Sequence, residues 1–108
     1  MTHPKLQEIL REFHKGMAEA LGENLDAVLL YGSQARGDAR GNMSDIDMLV
    51  VMKGPFDYGE AMDRTSELTA RISLDYDTVI SRVFTTKEDF DQCRLPFYMN
   101  VRQEAIAV

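Results

Sequence analysis

At 108 residues, with 44% hydrophobic and 28% charged side chains, the chain has the size and composition of a single small globular domain spanning residues 1–108. Its 18 acidic against 12 basic residues give a formal charge of −6, and no Lys/Arg run supplies the basic patch that grips a nucleic-acid backbone, so direct nucleic-acid binding is not expected. A single cysteine, Cys93, excludes an internal disulfide and a cysteine-cluster zinc site. No stretch approaches the ~20 apolar residues of a membrane span, and Met1 to Gly22 lacks a signal peptide's apolar run, so a cytoplasmic protein is expected.

In chain order, Thr2 to Leu21 carries a helical pattern: Leu6, Ile9, Leu10, Phe13, Met17 and Leu21 recur at spacings of three and four. Thr2 suits its cap, Pro4 its first turn and Gly22 its end. Leu25 to Tyr31 is a short apolar run bounded by turn residues, as in a buried strand, and it leads directly into Gly32-Ser33. Gln34 to Ser44 is polar and contains Gly37 and Gly41, which predicts a short helical turn and then a loop. Asp45 to Met52 reads as a second strand stopped by Gly54-Pro55, and Gly59 to Ile72 as a helix.

Leu74 to Phe84, rich in Val, Ile, Tyr and Thr, reads as a third strand. Thr86 suits the cap of a short helix that Pro96 breaks. A further turn through Asn100 and a terminal strand from Glu104 to Val108 complete the chain. The sum is an α/β domain of the α+β type, a small mixed sheet of three to four strands with helices packed on one side.

Chemistry concentrates in Gly32-Ser33 and, after eleven intervening residues, Asp45-Ile46-Asp47. Alternation along a strand puts Asp45 and Asp47 on one face and sends Ile46 to the core. Two adjacent carboxylates repel unless a cation lies between them, and magnesium commonly joins one or two carboxylates to substrate phosphates. Gly32 lets the backbone approach a phosphate, the Ser33 amide and hydroxyl can donate to it, and Arg36 and Arg40 can neutralise further charge. On the third strand, Asp77 is the preferred third carboxylate and Asp75 the fallback; three carboxylates can hold two metal ions.

The ordered set of strand, Gly-Ser, polar loop, Asp-x-Asp, helix and Asp resembles the polymerase-β-type nucleotidyltransferase superfamily. The likeness is to its minimal members (MNT domains), which accompany HEPN-domain partners. Tyr31-Gly32-Ser33-Gln34-Ala35-Arg36-Gly37 is similar to the family's nucleotide loop and Ser44-Asp45-Ile46-Asp47-Met48-Leu49-Val50-Val51 to its metal strand. Leu74 to Ser81 resembles its third strand, and Asn100-Val101-Arg102-Gln103-Glu104 the segment that closes these proteins. The interval between Ser33 and Asp45 is one residue longer than the family's usual spacing, an insertion falling in Asp38 to Met43.

The resemblance implies a nucleotidyltransferase fold and transfer of AMP from ATP, with Mg2+ as one or two ions, to a hydroxyl, with release of pyrophosphate. Carried over by residue, Gly32, Ser33, Arg36 and Ser44 bind the nucleotide, while Asp45, Asp47 and Asp77 are the catalytic, metal-binding carboxylates. Because 108 residues leave no room for an acceptor lobe, the expected acceptor is a tyrosine of a partner HEPN toxin, with this chain as antitoxin in a homo- or hetero-oligomer. Two other readings stand beside it. One is a non-catalytic nucleotide-binding antitoxin that neutralises its partner by binding, and the other is a nucleotidyltransferase acting on an aminoglycoside-type small molecule.

Overall fold

The computed structural model describes residues 2–41 and 44–108. Helix α1 (Leu6–Leu21) buries Leu6, Ile9, Leu10, Phe13 and Met17, the stripe set by its sequence spacing. A 3-10 turn (Gly22–Asn24) leads into β1 (Leu25–Tyr31), followed by the four-residue α2 (Ser33–Arg36). Strand β2 (Ile46–Met52) connects through α3 (Tyr58–Asp75) to β3 (Ile80–Thr86). The chain closes with α4 (Lys87–Gln92), α5 (Pro96–Glu104) and the two-residue β4 (Ile106–Ala107).

The described residues form a four-stranded mixed sheet in the order β3-β2-β1-β4. Strand β1 lies antiparallel to β2 and to β4, whereas β2 and β3 run parallel through the α3 crossover. Along β2, Ile46, Met48, Val50 and Met52 join the core under α1 and α3; Leu49 and Val51 face the opposite side, with Leu29 and Val101. The two long helices thus share one face, while α4 and α5 cover part of the other. Gly16 lies where α1 meets α3: a Cβ there would lie 2.9 Å from Leu68 Cδ1, so the Leu68 side chain would have to shift.

Two helix caps follow sequence chemistry: Asp57 accepts the Glu60 N–H at 2.9 Å, and Thr86 accepts the Asp89 N–H at 3.2 Å. At the N-terminus the expectation fails, because α1 begins at Leu6 and Thr2 does not cap it. His3 is buried, and its N–H donates to Gln34 Oε1 at 2.9 Å while its carbonyl accepts the Leu6 N–H. Gln34 thus holds His3, and the helix winds only from Leu6.

The larger correction concerns the third strand. Helix α3 continues through Leu74 and Asp75, and β3 begins only at Ile80. Ile72 and Tyr76 both meet the core and stand four residues apart, a helical spacing. The Tyr76 N–H donates to the Ile72 carbonyl, Asp77 turns the chain with φ 49°, and the Asp75/Asp77 alternation marks no strand.

Candidate active site

Strand β1 ends at Tyr31 and hands the chain to Gly32, whose φ of 77° lies in the left-handed region that favours glycine. Space gives a second reason for glycine here. A Cβ on Gly32 would stand 2.2 Å from Asp47 Oδ2, so the Asp47 carboxylate occupies the place a side chain would fill. The register of the sheet causes this closeness, for Tyr31 and Asp47 are paired across β1 and β2. After Gly32, α2 is closed by N–H bonds from Ala35 and Arg36 to the Gly32 carbonyl, and Gly37 ends it with φ 83°.

Asp45 lies one residue before β2 and is exposed; Asp47 is half-buried, with Ile46 fully buried between them. Burial raises the Asp47 carboxyl above the ordinary carboxylate range, the Asp45 charge adds to the rise, Arg36 opposes it and Glu104 reinforces it. Tyr31 shifts upward for related reasons, burial first and then the charges of Asp47 and Glu104. A half-buried carboxylate crowded by like charge is ready to receive a cation.

The loop that follows α2 hangs from one buried side chain. Gln34 Nε2 donates to the carbonyls of Gly41 (3.0 Å) and Ser44 (3.3 Å), while its Oε1 holds His3. Ser44 Oγ accepts the Arg40 N–H at 2.8 Å, so this hydroxyl closes the loop, and the Arg40 side chain is exposed. The interval from Asp38 to Met43, where the one-residue insertion is expected, includes Asn42 and Met43, which lie outside the described residues.

The expected third carboxylate is not where the sequence placed it. Asp77 is exposed in the turn before β3, Asp75 is exposed in the last turn of α3, and β3 sets Ser81 beside Asp47. Among the described residues no trio of His, Cys, Asp or Glu comes close enough to share a metal ion. A different acid reaches the site. Glu104, the last residue of α5, accepts the Gly32 N–H at 3.0 Å through Oε1 and meets Arg36 Nη1 at 3.0 Å through Oε2. Arg36 also holds Asp38 at 3.1 Å, and hydrogen bonds to these two carboxylates raise its pKa.

Sequence reasoning missed Glu104 because the apolar tail after it pulled the residue into a terminal strand. The available signal was spacing: Phe97, Val101 and Glu104 are three and four residues apart and share a helical face once α5 runs past Asn100. Phe97 packs edge-on against Tyr31, ring centroids 5.6 Å apart. With Tyr31, Gly32, Ser33, Arg36 and Asp47, that face encloses an open cavity of about 370 Å3. A larger groove of about 710 Å3 lies behind α2, against Leu6, Leu10, Leu30 and Ile106, but neither Asp45 nor Asp47 lines it. The smaller cavity is the one where Gly32, Ser33, the Arg36 guanidinium and the carboxylates of Asp47 and Glu104 converge.

Known proteins resemble this chain in sequence and in fold. The family model described as polymerase beta, nucleotidyltransferase, matches residues 6–93. A protein of Methanocaldococcus jannaschii, named as a candidate protein adenylyltransferase, is 38% identical over 80 residues, covering 74% of this chain and 79% of its own. A second protein of that organism, similarly named, is 29% identical over 99 residues, covering 91% and 92%. In fold, the chain is similar to one in a crystal structure of a toxin-antitoxin with AMP-PNP, with a TM-score of 0.63, 18% identity, and coverage of 90% of this chain and 69% of that one.

Proposed function

The chain belongs to the polymerase beta nucleotidyltransferase family, and from that premise we propose that it transfers AMP from ATP to a hydroxyl on a partner protein. The observation that carries this reading is the Asp47 carboxylate lodged against Gly32, beside Asp45 and facing the cavity at the open end of the sheet. Gly32 and Ser33 receive the phosphates, with Arg36 neutralising them. Ser44 supports the nucleotide by holding the loop closed.

The donor set fits magnesium. Asp45 and Asp47 offer hard oxygen ligands, and their mutual repulsion is relieved by a divalent cation. Bound there, the ion would neutralise charge on the phosphates as the acceptor oxygen gives up its proton to solvent and joins the α-phosphorus, and pyrophosphate leaves. The protein's own task is positioning and charge stabilisation, which dominate phosphoryl-type transfer. Asp45 and Asp47 would hold the ion, and Asp77, exposed in the turn before β3, is left out of this scheme.

A protein acceptor is supported by the names of the two relatives, each matched over most of its own length. The resemblance of the nucleotide loop and metal strand to MNT domains, beside a fold shared with a toxin-antitoxin chain, supports a setting in which a cytoplasmic antitoxin modifies a tyrosine of a HEPN toxin and associates with it. The test is incubation with α-labelled ATP, Mg2+ and the product of the adjacent gene. Label on a partner tyrosine is expected. Neutralisation of the partner without any label would sink the transfer reading and leave binding alone.

A further inference from the structure

Glu104 is out of place as a purely structural residue. It brings a second carboxylate to a cavity that Asp47 already lines. What holds it there is a pair of anion donors, the Gly32 N–H and the Arg36 guanidinium, each at 3.0 Å. These are the donors that a phosphate entering the cavity would need. Both oxygens of the carboxylate are engaged, one on each donor.

We propose that Glu104 is a built-in phosphate stand-in, which fills the anion seat of Gly32 and Arg36 until a nucleoside triphosphate displaces it. The proposal rests on the nucleotide-binding reading above. Displacement requires rotation of one side chain at the C-terminal end of α5, while Val101 stays in the core and Phe97 stays against Tyr31. The arriving phosphates repel the carboxylate as they take its donors, so both effects act in one direction. The stand-in keeps Arg36 positioned over the cavity when no substrate is present. It also makes triphosphate binding weaker than the donors alone would allow.

The experiment is equilibrium binding of MgATP and of magnesium tripolyphosphate to the wild-type chain, Glu104→Gln, Glu104→Ala, Arg36→Ala and the Arg36→Ala/Glu104→Gln pair. Removing the competing charge should tighten both ligands about tenfold, the scale of a partly exposed charge-assisted contact. Most of that gain should vanish in the Arg36→Ala background. Glu104→Ala should show the same sign, which keeps the test open if one variant folds poorly. A merely structural role predicts loss of affinity, not gain. Unchanged or weakened binding in both Glu104 variants, or a gain with ATP absent with tripolyphosphate, would overturn the proposal. The control is Asp47→Asn: if it leaves MgATP binding intact, the nucleotide reading itself fails. Binding that needs Asp47 but does not improve without Glu104 refutes the stand-in alone.

Discussion

The two faces of the sheet are built from the same strands and finished in opposite ways. Under α1 and α3, Ile46, Met48 and Val50 are fully buried in a continuous apolar cluster. On the other face, Leu49, Val51 and Val101 form a small cluster, and the end of the sheet beyond it is left to Tyr31, Asp47 and the cavity. One face supplies stability; the other gives some up to crowd carboxylates beside the Gly32-Ser33 turn. Alternation along β2 lets a single segment, Asp45-Ile46-Asp47, serve both.

The comparison breaks most sharply at the carboxylates. Replacing Asp45 or Asp47 with Asn should lower AMP transfer by roughly a thousandfold or more, the scale of losing a charge-stabilising element. Circular dichroism of each variant should stay that of the wild type. Transfer that survives both substitutions would detach the chemistry from this face. Between them, Ile46→Ala should cost about 2–4 kcal/mol in denaturant unfolding, as large-to-small core substitutions do. A cost under about 0.5 kcal/mol, typical of surface changes, would mean that the α1/α3 face is not the stabilising one.

Gly32→Ala tests where the faces meet. A positive φ and a Cβ pressed on Asp47 Oδ2 should together cost about 1–3 kcal/mol, with MgATP binding lost as Asp47 is pushed aside. Wild-type stability and binding in that variant would contradict the close approach. The smallest effect is a pH dependence. Because the folded state raises the Asp47 carboxyl, the native protein holds its proton more tightly than the unfolded chain, and stability falls as pH rises. Asp47→Asn should therefore be the more stable form at neutral pH, by less than about 1 kcal/mol given the group's exposure. The gap should close as pH falls from the raised value to the ordinary carboxylate range near about 4, and Mg2+ should narrow it at neutral pH. A wild type that gains stability over the Asn form as pH rises would reverse the sign and the cause.

Much of this was legible in the sequence, for reasons that differ by residue. Strand β1 was readable at both ends because Leu25 to Tyr31 is apolar and Gly32 stops it. Asp47 was readable because it interrupts an otherwise apolar strand beside a buried Ile46. Asp77 misled because Leu74 to Asp77 alternates, yet the preceding helix had Ile72 and Tyr76 at core spacing and kept winding. Glu104 was hidden because its role depends on a contact with Gly32 seventy-two positions away, which no local pattern encodes. The helical signal of α5 was also short, and an apolar tail follows it.

In the proposed reading, the open face near Asp47 holds the metal and nucleotide. This placement is tested most directly by amide NMR of the labelled chain with ATP, substituting paramagnetic Mn2+ for Mg2+. Broadening is expected to centre on Gly32, Ser33, Asp47 and Ser81, to reach Glu104, and to be lost in Asp47→Asn. Broadening centred instead on Leu6, Leu10 and Ile106 would place the metal and nucleotide in the groove behind α2 and not at Asp47.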